Sequence, residues 1–469
     1  MRAITFSLLA AAITVATATN YKPRPVPDIE GPITGGQHGW PFCAYFGNIS
    51  DIGYVEEEYF ISGTAERYDL IGEFTFDGKW TLVPNGNAKY KTRILVRRPA
   101  RDEDFNGDAI LEWDNVSSGF DIISSDGPGV YEAGYVYVGI SNQVIGLIGY
   151  ENIVGQAPRG LTVWDPERYS TLVVPDDRYS YDIYTQAANL LRSGKIPHVQ
   201  AKHVIGVGSS QSGIQMNSYA NGVQPLYHTF DALLPNIAFG QAFNFSMPIA
   251  QPVQKVFAPS HPARIRTDLD TPVHQICSES EALYVFSQGC RQPQTETYRY
   301  WEIAGSAHGS ASDIVQINKV LQRDLNISEL VAPNADQVGW GPSLDAAYQH
   351  SSRWIRTGKP PPIFPLMHII PSASAPLGAT YVRDALGNTI RGARLPEMSV
   401  PITANNGTLE GTSIPFNATT LNKLYSSHLQ YVEKVTVAAQ QAEANGLILS
   451  YRTEQYIQDA QAVNILPGH

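Results

Sequence analysis

A chain of 469 residues, 43% hydrophobic and 16% charged, is long and apolar enough to bury a large core and is not disordered. Its formal net charge of −11 argues against nucleic acid and against an anionic membrane surface as main partners, because both recruit basic patches.

The N-terminus reads as a secretory leader over residues 1–18. Arg2 supplies the positive region, Phe6 to Val15 the apolar stretch, and Ala16-Thr17-Ala18 the small residues for cleavage. The apolar stretch is short for a bilayer span, and no later run of that length lacks polar residues. Residues 19–469 are then expected to form a single elaborated domain of a secreted protein. Six N-x-S/T sequons, at Asn48, Asn115, Asn244, Asn326, Asn406 and Asn417, fit that route and predict N-linked glycans. In an oxidising compartment, Cys277 and Cys290 are the local disulfide expectation, with Cys43 as an alternative partner of either. No Cys/His cluster has metal-ligand spacing, so neither a metal nor a cofactor is expected.

Residues 21–100 are rich in Pro, Gly and aromatics and predict short strands and turns. Apolar segments follow at Arg93–Val96, Ala109–Trp113 and Tyr135–Ile140. Tyr181–Arg192 carries Ile183, Ala187, Leu190 and Leu191 at helical spacing. Further strand signals lie at 203–208, Ala232–Pro235, Pro272–Cys277 and Tyr298–Ile303. Between them, residues 236–270 lack clear periodicity and predict a cap or lid. Residues 344–357 look helical and stop at Gly358-Lys359-Pro360-Pro361-Pro362. Residues 363–420 look loop-rich, and 421–463 helical. Strands alternating with helices predict an α/β fold with a mainly parallel central sheet, helices on both faces, and ligands outside the carboxyl ends of the strands.

The most informative stretch is 203–214. An apolar run ends in Gly208, Ser210 follows, and a helix-like segment starts at Gln211. A strand, a sharp turn and a helix would lift a serine hydroxyl out of the sheet and leave the Gln211 N–H free for an oxyanion. Gly208 lies two before Ser210, and Ser212, still small, stands where the strict G-x-S-x-G pattern has its last glycine. Ser212 is the rival nucleophile. Its neighbour two residues on, Ile214, is too bulky for a tight turn, which favours Ser210.

A serine needs a base and an orienting acid. His308 lies in a loop of small residues, Gly305-Ser306-Ala307-His308-Gly309, after the last core strand, and is the candidate base. The candidate acid lies in Cys277-Ser278-Glu279-Ser280-Glu281. Glu281 sits three residues past the small Ser278, and Glu279 is the alternative, differing only in register. A second oxyanion donor is expected from the loop after Ala109–Trp113, at Asp114 or Asn115. Asn115 is also a sequon, and a glycan there conflicts with a buried site.

Several blocks are similar to a little-characterised family of α/β-hydrolase-domain proteins found in bacteria and secreted by fungi. They include Tyr90 to Pro99, Phe105-Asn106-Gly107 to Val116, Asp165 to Tyr169, Tyr181 to Gln186, Ser210-Gln211-Ser212-Gly213, Trp301 to Gly305 with His308, and Gly387-Asn388 to Pro396. The resemblance spans about residues 60–465. It implies an α/β-hydrolase fold, a serine nucleophile in the Ser-Gln-Ser-Gly turn and His308 as base. It also implies a C-terminal extension, 330–469, packed on the same domain. The family often has Asp where this chain has Glu281. The expected activity is hydrolysis of a small-molecule carboxylic ester through an acyl-enzyme. A non-catalytic binding protein on the same scaffold, or an acyltransferase using the same three side chains, are the alternatives.

Overall fold

In the computed structural model, the described residues are 23–150, 157–238, 240–246, 263–284, 287–375, 378–408 and 411–465. The expected leader, 1–18, and residues 239 and 247–262 of the expected cap lie outside them.

Among the described residues, nine strands form one sheet in the order β1-β2-β3-β5-β4-β6-β7-β8-β9. The strands are β1 (Asp28–Glu30), β2 (Tyr54–Ile71), β3 (Thr81–Pro99), β4 (Asp108–Trp113), β5 (Val136–Ile140), β6 (His203–Ser209), β7 (Ala232–Asn236), β8 (Val273–Cys277) and β9 (Tyr298–Glu302). From β5 through β4 to β9 the neighbours are parallel, whereas β1, β2 and β3 add an antiparallel flank.

The parallel strands are short and almost wholly buried because both of their faces are covered. Pleating sends alternate residues to opposite sides. Ala109, Leu111, Trp113, Val136, Val138 and Val204 join one core, which includes Ile183, Leu190 and Leu191 of the helix Ser180–Ser193. Ile110, Tyr137, Ile205, Val207 and Trp301 join the other, with Leu344 and Tyr348 of the helix Gly341–Thr357. Tyr431, Val435 and Tyr456, from the helices His428–Ala444 and Ser450–Ala462, belong to this second core. The C-terminal third is thus packed on one face of the sheet.

Three elements differ from the sequence expectation. Apart from the three-residue β1, the short strands predicted over 21–100 are two long ones: β2 and β3 have 18 and 19 residues and pair along nearly their whole length, with a register shift between Glu66 and Tyr68. Charges hide them. Glu56, Glu57 and Glu58 interrupt any apolar pattern, yet they pair with Arg97, Arg98 and Arg93 of the adjacent strand. The helix Ala311–Leu325 has no counterpart among the predicted elements. Its signal is the cap, since Ser310 accepts from the Asp313 N–H while the Asp313 carboxylate accepts from that of Ser310.

The disulfide expectation is corrected. No bridge joins Cys43, Cys277 or Cys290; each is a buried thiol. Cys277 Sγ donates to Ala238 O at 3.6 Å, and Cys290 Sγ donates to Gly240 O at 3.1 Å.

His274 on β8 is buried, meets the Trp301 ring edge-on, and has no hydrogen-bond partner for either ring nitrogen among the described residues. Burial holds its pKa well below the usual 6.5, with His350 and Arg299 adding repulsion. The unfolded chain therefore binds a proton at this residue that the folded protein refuses. Stability is full above about pH 6.5 and declines below it, by up to about 1.4 kcal/mol per pH unit. Melting curves of the wild type and His274→Phe between pH 7.5 and 5 should diverge on the acid side, the variant losing less. Parallel curves would exclude this role.

Candidate active site

The end of β6 and the start of the helix Gln211–Ser218 meet at Ser210, whose φ of 61° and ψ of −121° are unusual for a residue with a side chain. The sequence permits this sharp turn because its neighbours are small. A Cβ on Gly208 would lie 2.7 Å from Ser212 O, and one on Gly213 would lie 2.8 Å from Asn236 O. Ser212, which departs from the glycine pattern, is held within the turn. Its Oγ donates to Ser209 O at 2.8 Å and accepts from Ser209 N at 3.0 Å. The rival serine is therefore occupied in bracing the turn.

His308 comes from the loop after β9. Three contacts hold its backbone: the Ala307 N–H donates to Asp336 Oδ2 (2.6 Å), the His308 N–H to Ser280 Oγ (3.0 Å), and Trp340 Nε1 to His308 O (2.9 Å). Gly305 in the same loop has φ of 81°, and a Cβ there would strike Met398. The loop presents the imidazole with Nε2 2.8 Å from Ser210 Oγ and Nδ1 2.6 Å from Glu281 Oε1. Glu281 is fully buried, and its other oxygen accepts from the Ser278 N–H at 2.7 Å. The structure therefore brings Ser210, His308 and Glu281 together in line. This geometry can pass a proton from the hydroxyl to a ring that the carboxylate orients.

Glu279 points elsewhere. Its Oε1 accepts from the Gly305 N–H (2.8 Å), and its Oε2 accepts from the Gly407 N–H and from the Arg383 guanidinium (3.0 Å each). It ties the His308 loop to the C-terminal segment. Asp336 and Trp340 are positioning residues that sequence reasoning missed. No local motif marks them, because their partners are 29 and 32 residues away. Burial pushes the Asp336 carboxyl up to about 7.

The expectation for the second oxyanion donor is corrected. The Asp114 N–H donates to Ile140 O at 3.3 Å, and the Asn115 N–H to Ile122 O at 3.1 Å, so both are committed. The competing glycan fares no better. Asn115 is buried, and its Nδ2, where a glycan would attach, donates to Ser209 O at 2.9 Å. Neither expectation for Asn115 holds, because the residue braces the turn below Ser210 instead. The Gln211 N–H opens its helix and donates to no described residue. Among the described residues, no group of three or more His, Cys, Asp or Glu side chains could hold a metal ion. No helix among them is long and apolar enough to cross a membrane.

A family model described as an alpha/beta hydrolase domain matches residues 29–458. The chain belongs to that family. Among solved structures, this α/β-hydrolase-domain protein is similar to a fungal esterase from Rhizomucor miehei, at 10% identity and a TM-score of 0.33, over 63% of this chain and 86% of that one. It is also similar to esterase Est22 (10%, TM-score 0.31, over 59% and 80%). A third is a glucuronoyl esterase from Solibacter usitatus (10%, TM-score 0.29, over 61% and 82%). Identities this low say nothing about substrate. No curated protein matches the chain in sequence.

Glu279→Gln should weaken a buried acceptor that three donors converge on, at a cost of about 1–3 kcal/mol, while Arg383 keeps its bonds to Gly387 O, Asn405 O and Asn406 Oδ1. Urea unfolding should find a lowered midpoint with an unchanged slope. A midpoint equal to that of the wild type would exclude the tie between the two segments.

Proposed function

We propose that this protein is a secreted serine hydrolase that cleaves a small-molecule carboxylic ester through a Ser210-His308-Glu281 triad. One observation carries the reading: the unbroken line of hydrogen bonds from hydroxyl to imidazole to carboxylate, at 2.8 and 2.6 Å. A buried carboxylate beside a half-exposed imidazole at a serine in strained backbone is the arrangement that acyl transfer needs.

Ser210 Oγ attacks the ester carbonyl while His308 Nε2 takes its proton. Glu281 holds the ring so that Nε2 faces the serine, and stabilises the imidazolium that forms. The tetrahedral oxyanion is met by the Gln211 N–H. The second donor is the Val116 N–H. Of the loop Asp114–Ser117 it alone is uncommitted among the described residues, because the Ser117 N–H donates to Asn115 Oδ1. His308 returns the proton to the leaving alcohol, which leaves an acyl-enzyme. Water, activated by the same ring, then releases the acid and regenerates the hydroxyl. The residues 1–18 direct export, and glycans are carried at exposed sequons such as Asn48, Asn326 and Asn417.

A fluorophosphonate probe should label the wild type and not Ser210→Ala. Hydrolysis of p-nitrophenyl acetate should vanish in Ser210→Ala and fall about 10,000-fold in kcat in Glu281→Gln, which leaves the ring misoriented. An unlabelled wild type inert towards a panel of aryl, aliphatic and sugar esters would end the reading. For protein exported from a eukaryotic host, glycosidase treatment should lower the mass of peptides bearing Asn48, Asn326 or Asn417 and leave the Asn115 peptide unchanged. A glycan on Asn115 would contradict its bond to Ser209.

A further inference from the structure

We propose that a buried hydrogen-bond relay from Glu112 through Ser125, Ser209 and Asn236 positions the turn that carries Ser210. The proposal rests on the serine-hydrolase reading above. It adds four positioning residues, none of which touches substrate.

The relay has a defined direction. Ser125 Oγ donates its one proton to Glu112 Oε1 at 2.7 Å. Ser125 Oγ and Ser209 Oγ lie 2.8 Å apart, so Ser209 must be the donor in that bond. Having given its proton away, Ser209 Oγ accepts from Asn236 Nδ2 at 3.0 Å. The backbone carbonyl of Asn236 then accepts from the Ser210 N–H at 3.1 Å. The chain thus runs from a carboxylate on β4, through a loop serine and the last residue of β6, to the last residue of β7 and back to the nucleophile.

Three features show that this is more than local packing. All four residues are at most 2% exposed, so no bulk water substitutes for a lost partner. Each donor has an acceptor committed to it, and the chain ends on the carboxylate, the strongest acceptor present. Among the described residues, Glu112 also has no cation bonded to it. Its other contacts are the Tyr137 hydroxyl, and the Ser124 N–H at 3.2 Å with the Ser124 hydroxyl at 3.5 Å. A carboxylate buried against hydroxyls and one N–H is expensive to keep in a fold, and burial pushes Glu112 up to about 7.

The target of the relay needs such support. A non-glycine residue in so sparsely populated a backbone region costs about 1–3 kcal/mol and persists only where the surroundings over-determine it. With the relay, all three polar atoms of Ser209 have partners: Ser212 Oγ at its N–H, Asn115 Nδ2 and Ser212 Oγ at its carbonyl, and the relay at its hydroxyl. Displacing a reacting group by about 1 Å can lower a rate by about 100-fold.

Ser209→Ala and Ser125→Ala each delete one oxygen from the relay. For p-nitrophenyl acetate, each should lower kcat by about 10- to 100-fold with KM changed less than about two-fold. Each should slow fluorophosphonate labelling of Ser210 to match. Because both cut the same chain, the double variant should be no slower than about three-fold below the worse single one. A role in stability alone would lower the melting temperature and leave kcat per folded molecule unchanged. Ser209→Ala, the smaller change, decides the matter should Ser125→Ala fail to fold. If the wild type turns over ester and both kcat and labelling survive in folded Ser209→Ala, the relay is wrong and the hydrolase reading stands. If the wild type neither labels nor turns over ester, the hydrolase reading itself has failed.

Discussion

The fold is arranged around one unfavourable piece of backbone. At Ser210 the chain reverses from strand to helix with φ at 61°, in a region where a side chain is crowded by its own main chain. Such a conformation survives only where many independent contacts agree on it. Gly208 and Gly213 remove the atoms that would collide there, Ser212 binds both the N–H and the carbonyl of Ser209, and Asn115 binds that carbonyl too. The carbonyl of Asn236 receives the Ser210 N–H from the adjacent strand. The six parallel strands bring these groups to one rim of the sheet, and the apolar residues on both faces keep that rim rigid.

The imidazole and the carboxylate reach the rim from elements far along the chain. Ser210 and His308 are 98 positions apart, and Glu281 is 27 from His308, yet the three lie within hydrogen-bond distance. What holds His308 is not β9 alone. Asp336 and Trp340 grip its loop, and Glu279 fastens the same loop to Arg383 and Gly407. The C-terminal third thus takes part in the site by bracing the turn that presents the imidazole.

Part of this architecture is legible in the sequence. Most strands of the parallel sheet announce themselves as short, largely apolar runs, because a strand buried on both faces favours such residues, although β8 and β9 also carry His274, Gln275, Arg299 and Glu302. The helix Ser180–Ser193 is legible from its apolar stripe. Charged strands are not. In β2 and β3 the glutamates and arginines that break the pattern are partners of one another, and only the register of the pair reveals this. Asn115 misleads twice, as an oxyanion donor and as a glycan site. A sequence contains no sign that its amide hydrogen bonds to Ile122 and its side chain to Ser209.

By itself the sequence determined the chemistry on offer: a serine at a strand-to-helix turn, a histidine after the last core strand, and two glutamates just past a strand end, which the structure places in the first turn of the helix Glu279–Tyr284. Those features are local, and local steric rules decide them. Tertiary structure alone decided which glutamate meets the His308 ring, and it committed the Asp114 and Asn115 N–H groups to Ile140 and Ile122. It also left the cysteines unbridged. Neighbouring residues in a turn point in directions set by what packs against them, and those partners come from strands and loops that sequence distance does not order.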